Sequence, residues 1–239
     1  MLKFFKKTRR KSVLENNKLK FVRYAFIEII LVVIGILIAV QINNWNENNK
    51  NRKIEIDLLE GLLEDTKTDS IFFNSRVFHL TSYINNVNNL NAIFNGTKND
   101  SILNIPFNNY RIFDIGMAYQ STVILNNIDK IEEFTDNSVK DLLRKYILQH
   151  NYVSIAFGQK NSYFDKYAGD LLLKYSDVSF GLTNNTPLKK YYTIVEYPKN
   201  IKVVNFLKAT VINSRIQTNN LLKINYELLQ TVKEALKND

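Results

Sequence analysis

At 239 residues and a net charge of +9, the chain has length for one domain of ordinary size, at most two, and for a real hydrophobic core. Its 7 Gly and 3 Pro are too few for a turn-rich β architecture, so long helices fit best. The absence of Cys excludes disulfides, thiolate metal sites and Cys nucleophiles, and leaves the redox compartment open.

The charge is concentrated at one end. Residues 1–23 hold nine Lys and Arg against Glu15 alone, a local balance of +8, and the rest of the chain nets only +1. A basic cluster directly before an apolar run is what the positive-inside rule places on the cytoplasmic flank of a membrane span. That excludes a nucleic-acid-binding chain as the first reading, since the remainder carries no basic excess.

The apolar run follows. Ile29 to Val40 are twelve uncharged residues, all apolar except Gly35. Tyr24 to Ile42, at about 1.5 Å per residue, measure roughly 28 Å, close to the hydrocarbon thickness of a bilayer. Tyr24 and Trp45 then fall near opposite interfaces, where amphipathic rings are enriched. The run exits through "AVQINNW", without the small residues a signal peptidase needs. An uncleaved anchor is therefore expected, over a cleaved signal or a soluble core helix. The expected organisation is a basic cytoplasmic tail over 1–23, a transmembrane helix over 24–42, a polar linker over 43–53, loop or helical continuation, and an extracytoplasmic helical domain over 54–239.

Glu28 lies inside this segment. At 100° per residue it shares a face with Gly35 and Ala39, a small-xxx-small pair that lets two helices approach closely. One reading makes Glu28, Gly35 and Ala39 a surface for helix association. The other lets Glu28 reach the headgroups one turn away and treats the small residues as ordinary span composition.

The stretch "IEIILVVIGILIAVQINNWNENNKNRK", preceded by "MLKFFKKTRRK", resembles an uncharacterised family of single-span membrane proteins common in Bacteroidota, most closely from Glu28 to Glu47. A weaker likeness lies in "AYQSTVILNNIDKI" at Ala118, where Ile124, Leu125 and Asn126 replace a usual turn of small residues. Asn tolerates the left-handed conformation, so a turn is still expected there. The resemblance implies the topology and a helical fold, and brings no activity with it; the expected location is the bacterial inner (cytoplasmic) membrane, with the N-terminus in the cytoplasm.

Beyond the span, Ser70, Phe73, Val77, Leu80, Ile84, Val87, Asn91 and Phe94 alternate spacings of three and four, the seam of an amphipathic or coiled-coil helix ended by "NGTKND". A loop with Pro106 and a short helix from Asp114 to Leu125 come next. Ser138 with Asp141 suggests a capped start to a second helix. Its stripe runs through Leu143, Ile147, His150, Val153, Phe157, Phe164, Ala168, Leu171 and Tyr175. After the aperiodic "SFGLTNNTP" stretch, a last helix begins near Asn200 with Val204, Leu207, Val211, Leu221, Leu228 and Val232. The fold class expected is all-α: one N-terminal transmembrane helix, then an elongated extracytoplasmic antiparallel helical bundle.

No motif carries chemistry. His79 and His150 are isolated, without zinc spacing, and His150 on an apolar stripe reads as a hydrogen-bonded core histidine. Nucleophile-elbow, Walker and dinucleotide patterns are missing. Asp129, Glu132, Glu133 and Asp136 lack calcium-loop spacing and read as a solvated helix terminus. No cofactor, metal or catalytic activity is expected. The function expected is a membrane-anchored interaction or scaffold module, with the lipid bilayer and a second copy or an envelope protein as partners and no nucleic acid. The alternative is an extracytoplasmic sensor that signals through a separate cytoplasmic partner.

Overall fold

The structure, a computed structural model, describes residues 18–98, 118–174 and 197–238, and among these every regular element is helical. Helix α1 is Lys18–Phe94, α2 is Thr122–Asn127, α3 is Asn137–Lys174 and α4 is Tyr197–Asn238; a 3-10 helix, Ile128–Glu133, joins α2 to α3. The basic tail up to residue 17, the loop around Pro106, Tyr175 and the "SFGLTNNTP" stretch lie outside the described residues. So does the first part of the short helix expected from Asp114.

The chain divides into two units, Met1–Glu55 and Ile56–Asp239. In the first, the described residues are all helical, those of the expected polar linker over 43–53 included. From Val22 to Ile54 every side chain except the partly covered Ala25 is exposed.

In the second unit three long helices close around one core. The stripe read from the sequence is buried at Phe73, Leu80, Ile84 and Val87 and continues back through Leu62 and Leu59. It meets Leu143, Tyr146, Val153, Phe157, Phe164 and Ala168 of α3, and Val204, Leu207, Val211, Leu221, Leu228 and Val232 of α4. Each long helix therefore buries one apolar stripe, the arrangement that stabilises helices too polar to stand alone.

Cross-helix pairs give the directions. Asn74 Nδ2 donates to the Tyr226 hydroxyl at 2.7 Å and Asn91 Nδ2 to Asn205 Oδ1 at 2.7 Å, so α4 runs antiparallel to α1. Gln149 Nε2 donates to the Gln217 carbonyl at 3.1 Å and the Ser214 hydroxyl to the Ala156 carbonyl at 3.2 Å, so α4 runs antiparallel to α3 as well. The pairs Asp69–Tyr146 and Tyr83–Phe164 show that α1 and α3 are parallel to each other. Parallel neighbours need a crossover, and residues 95–136 supply it.

The crossover starts and ends on specific caps. Gly96 at φ 71° terminates α1, with Thr97 N–H on the Ala92 carbonyl at 2.8 Å and Gly96 N–H on the Ile93 carbonyl at 3.0 Å. This is the Schellman arrangement, which needs a residue free to adopt positive φ. At the far end the cap is Asp136, not Ser138 as the sequence suggested: its Oδ1 accepts from Ser138 N–H at 2.7 Å and Val139 N–H at 3.4 Å. Asp caps as well as Ser and adds a negative charge at the positive end of the helix.

Candidate functional site

The first feature is the apolar helix of the first unit. Nothing in the described chain covers it: Val22, Phe26, Ile29, Ile36 and Leu37 stand more than half exposed, and Trp45 is 68% exposed. It is the one helix among the described residues long and apolar enough to cross a membrane. Tyr24 and Trp45 are both exposed near its ends. A Cβ added at Gly35 would meet nothing within 4 Å, so this point of the surface is open to close approach.

The second feature belongs to the second unit and was not foreseen. Asp69 is 1% exposed, although it is an acid on the stripe of Leu62, Thr66 and Phe73. Its Oδ2 accepts from the Ser121 hydroxyl at 2.6 Å, the Tyr146 hydroxyl at 2.5 Å and Val123 N–H at 3.3 Å. Its Oδ1 accepts from Thr122 N–H at 2.8 Å and the Thr122 hydroxyl at 2.9 Å. One turn earlier on the same face, Asp65 accepts the side-chain amides of Asn126 at 2.9 Å and Asn127 at 2.7 Å. Two carboxylates of α1 thus clamp the whole of α2. Asp69 bonds the free N–H groups that a helix N-terminus leaves unpaired.

This clamp corrects two expectations, the short helix from Asp114 and the turn over Ile124 to Asn126. Residues 118–121 are not helical, and helix begins only at Thr122, with the Ser121 hydroxyl accepting from Ile124 N–H at 3.2 Å. Ile124 to Asn126 lie inside that helix rather than in a left-handed turn. A Ser cap backed by a buried carboxylate favours helix here, and Asn126 spends its side chain on Asp65.

The surroundings keep the donors protonated. Burial, then the Asp69 charge, pushes the Tyr146 phenol well above its ordinary value, so it stays a donor to Asp69. The same two causes in the same order raise Tyr119. The Tyr119 ring stacks between Phe73 and Phe157, with centroids at 5.7 and 5.2 Å, and 5.0 Å from His150. His150 is half-buried rather than a fully enclosed core residue. Burial lowers its pKa, partly opposed by the Asp69 charge and a hydrogen bond with Asn151. The other acids singled out by the sequence stay outside: Glu132 pairs with Arg144 at 2.8 Å and Lys140 at 3.5 Å on the surface. The Arg144 hydrogen bond and charge, then Lys140, hold its carboxyl below the ordinary value.

The carboxylates of the clamp are thus occupied by neutral donors from the chain itself. Among the described residues no group of three or more His, Asp or Glu side chains is placed to hold a metal ion. Asp69 was missed because its partners lie 52 to 77 residues away. The available signal was local: an acid four residues after another, on the stripe that also carries Leu62 and Phe73.

A family model described as a family of unknown function (DUF6090) matches residues 28–108, roughly a third of the chain. The match begins at Glu28 and runs past the end of α1 and over Asp65 and Asp69; the Ser121–Asn127 side of the clamp lies outside it. No curated protein matches the chain, and no solved structure matches it.

Proposed function

We propose that the protein is a single-pass membrane-anchored interaction module, with its amino terminus in the cytoplasm and its helical bundle on the other side of a bacterial inner membrane. The observation that carries this is the bare helix from Val22 to Ile42. Soluble proteins rarely leave so large an apolar patch uncovered, and at roughly 1.5 Å per residue its length suits a bilayer core. The basic tail sets the orientation. Tyr24 and Trp45 serve as interfacial anchors, and Glu28, Gly35 and Ala39 form the face on which two spans associate.

The bundle supports a binding role over catalysis. Buried Asp69 and half-buried Asp65 are engaged in holding α2, and Asp69, which accepts from the Ser121 hydroxyl, takes four further donors from the chain itself. A second copy or a neighbouring envelope protein is the partner this reading expects. Two measurements test it. Membranes washed with alkaline carbonate should retain the chain, and release into the wash overturns the anchor. Crosslinking in native membranes should then trap the chain with itself or with one envelope protein; a chain that stays monomeric and uncrosslinked overturns the module.

A further inference from the structure

We propose that one half of the bundle carries a binding surface for an anionic glycan, a chain of sugar rings bearing carboxylates, centred on Tyr163, Tyr167 and Phe206. The inference rests on the reading that the bundle stands outside the cytoplasm and goes beyond it, because that reading names no ligand.

The charges of the bundle are divided along its length. Residues 70–94 of α1, 151–168 of α3 and 197–215 of α4 lie side by side, joined by the Asn91–Asn205, Tyr83–Phe164 and Tyr163–Phe206 contacts. They carry seven Lys and Arg against one acid, Asp165. The other half, residues 56–69, 122–150 and 217–238, carries twelve acids against eight Lys and Arg. A surplus of one sign on one half of a domain draws ligands of the other sign towards it.

On the basic half three rings gather at the surface. Phe206 is 44% exposed and Tyr167 38% exposed, with Tyr163 half-buried beside them. The Phe206 ring meets Tyr163 at 5.2 Å and Tyr167 at 5.5 Å, edge to face in both cases, and the two tyrosine rings lie 6.2 Å apart and 29° from parallel. The rings hold one another in place, so the platform is formed before a ligand arrives. Lys166 Nζ lies 5.1 Å from the Tyr167 ring, and exposed Lys202 stands one turn before Phe206 on the same face of α4. Asp165 is two residues from each tyrosine and, at 3.6 residues per turn, falls on nearly the opposite side of α3. The surface thus offers ring faces flanked by cations.

These two features together select the ligand. The C–H faces of a sugar ring pack on the negative face of an aromatic ring, and carboxylates on the sugar pair with the lysines. An amphipathic helix needs an apolar groove, and here it would meet tyrosines and lysines in the open. A second copy in the same membrane presents the same positive surplus, which repels. A nucleic acid also offers rings and anionic charge, but on the proposed side of the membrane the polymers within reach are the glycans of the cell envelope.

The test uses the full chain in nanodiscs of phosphatidylcholine, a lipid without net charge. Binding is measured for three labelled oligomers of matched length: galacturonic acid, its methyl ester and glutamic acid. The first has rings and charge, the second rings alone and the third charge alone. The galacturonic acid oligomer should bind at least about tenfold more tightly than either of the others at 0.1 M salt. Most of that affinity should vanish at 1 M salt, where the screening length is only about 3 Å. Tyr167→Ala with Phe206→Ala removes the platform and should weaken binding at least about tenfold. Lys166→Gln with Lys202→Gln, both at exposed positions, should weaken it comparably without touching the packing, and serves as the test if the ring variant does not fold. Equal binding of the glutamic acid oligomer overturns the proposal, as does affinity that both variants retain, or tighter binding of a single-stranded DNA oligomer. None of these touches the anchored module. A reporter active only outside the cytoplasm, fused after Asp239, checks the setting separately, and silence there overturns the orientation and the glycan proposal together.

Discussion

Replacing Asp69 with Asn changes one oxygen to an amide nitrogen and nothing else in shape, so the cost can be worked from the bonds. If the nitrogen takes the Oδ1 position it faces Thr122 N–H, 2.8 Å away, donor against donor. If it takes the Oδ2 position, Val123 N–H loses its acceptor at 3.3 Å, and the Ser121 and Tyr146 hydroxyls must both reverse to accept. Either way at least one backbone N–H at the start of α2 is left unpaired, at about 1–3 kcal/mol for each buried group. Removing a desolvated negative charge returns part of this. The expected net loss is about 2–3 kcal/mol, a large share of the roughly 5–15 kcal/mol that holds an ordinary domain folded. Tyr146→Phe removes a single donor and should cost about 1–2 kcal/mol. The two changes share one bond, so their double-mutant cycle should show coupling of about 1 kcal/mol or more. Urea unfolding of residues 54–239, followed by helical circular dichroism, measures all three. A loss below about 0.5 kcal/mol for Asp69→Asn, the range of ordinary surface changes, would refute the clamp.

That fragment should itself be soluble and mainly helical, because the stripes of α1, α3 and α4 close on one another without lipid; a strand-dominated spectrum contradicts this. Gly158 sits exposed within α3, and a Cβ there meets nothing within 4 Å, so Gly158→Ala should raise stability by up to about 1 kcal/mol. Gly96→Ala should lower it by about 1–2 kcal/mol, because Gly96 holds φ 71°; equal urea midpoints for the two variants would contradict both. His150 has a folded pKa below its ordinary 6.5, so the unfolded chain takes up the proton first as pH falls. Its contribution is complete above about pH 6.5 and is lost from there towards the lowered folded value, and His150→Gln should flatten that slope in unfolding curves taken across the window. In a membrane dimerisation assay, Gly35→Leu should weaken self-association, Gly35→Ala less so, and Ile36→Leu on another face hardly at all; three equal signals would leave the Gly35–Ala39 face without a role.

The long helices were legible because helical burial has a local period. Phe73, Leu80, Ile84 and Val87 repeat at spacings of three and four, and all are buried. The last helix was read equally well: Val204, Leu207, Val211, Leu221, Leu228 and Val232 are all in the core. Periodicity failed where a polar residue takes a core position for a distant reason. Asp69 follows Leu62 and Thr66 on the same stripe, yet what makes its burial tolerable is Ser121, Thr122, Val123 and Tyr146, on other elements. The short helix was misplaced for the same cause, since its start is fixed by Asp69 and Ser121 rather than by any run of apolar residues. The cap of α3 was missed by two residues because Asp136 and Ser138 are both good caps, and the choice depends on where the preceding 3-10 helix lets the chain turn.

Parallel packing of α1 and α3 gives the clamp a further reason to exist. Antiparallel neighbours joined by a short loop have their register set by that loop, but α1 and α3 are joined through a crossover of some forty residues, which constrains register weakly. Apolar stripes alone would tolerate a slip of one turn, since residues four apart present similar surfaces to a neighbour. A buried carboxylate with five directed donors does not, because a slip of about 5 Å would break every bond and strand the charge. Asp69 reaches both the crossover, through Ser121, Thr122 and Val123, and α3, through Tyr146. One side chain of α1 therefore fixes where the returning segment lies and where α3 starts along the bundle.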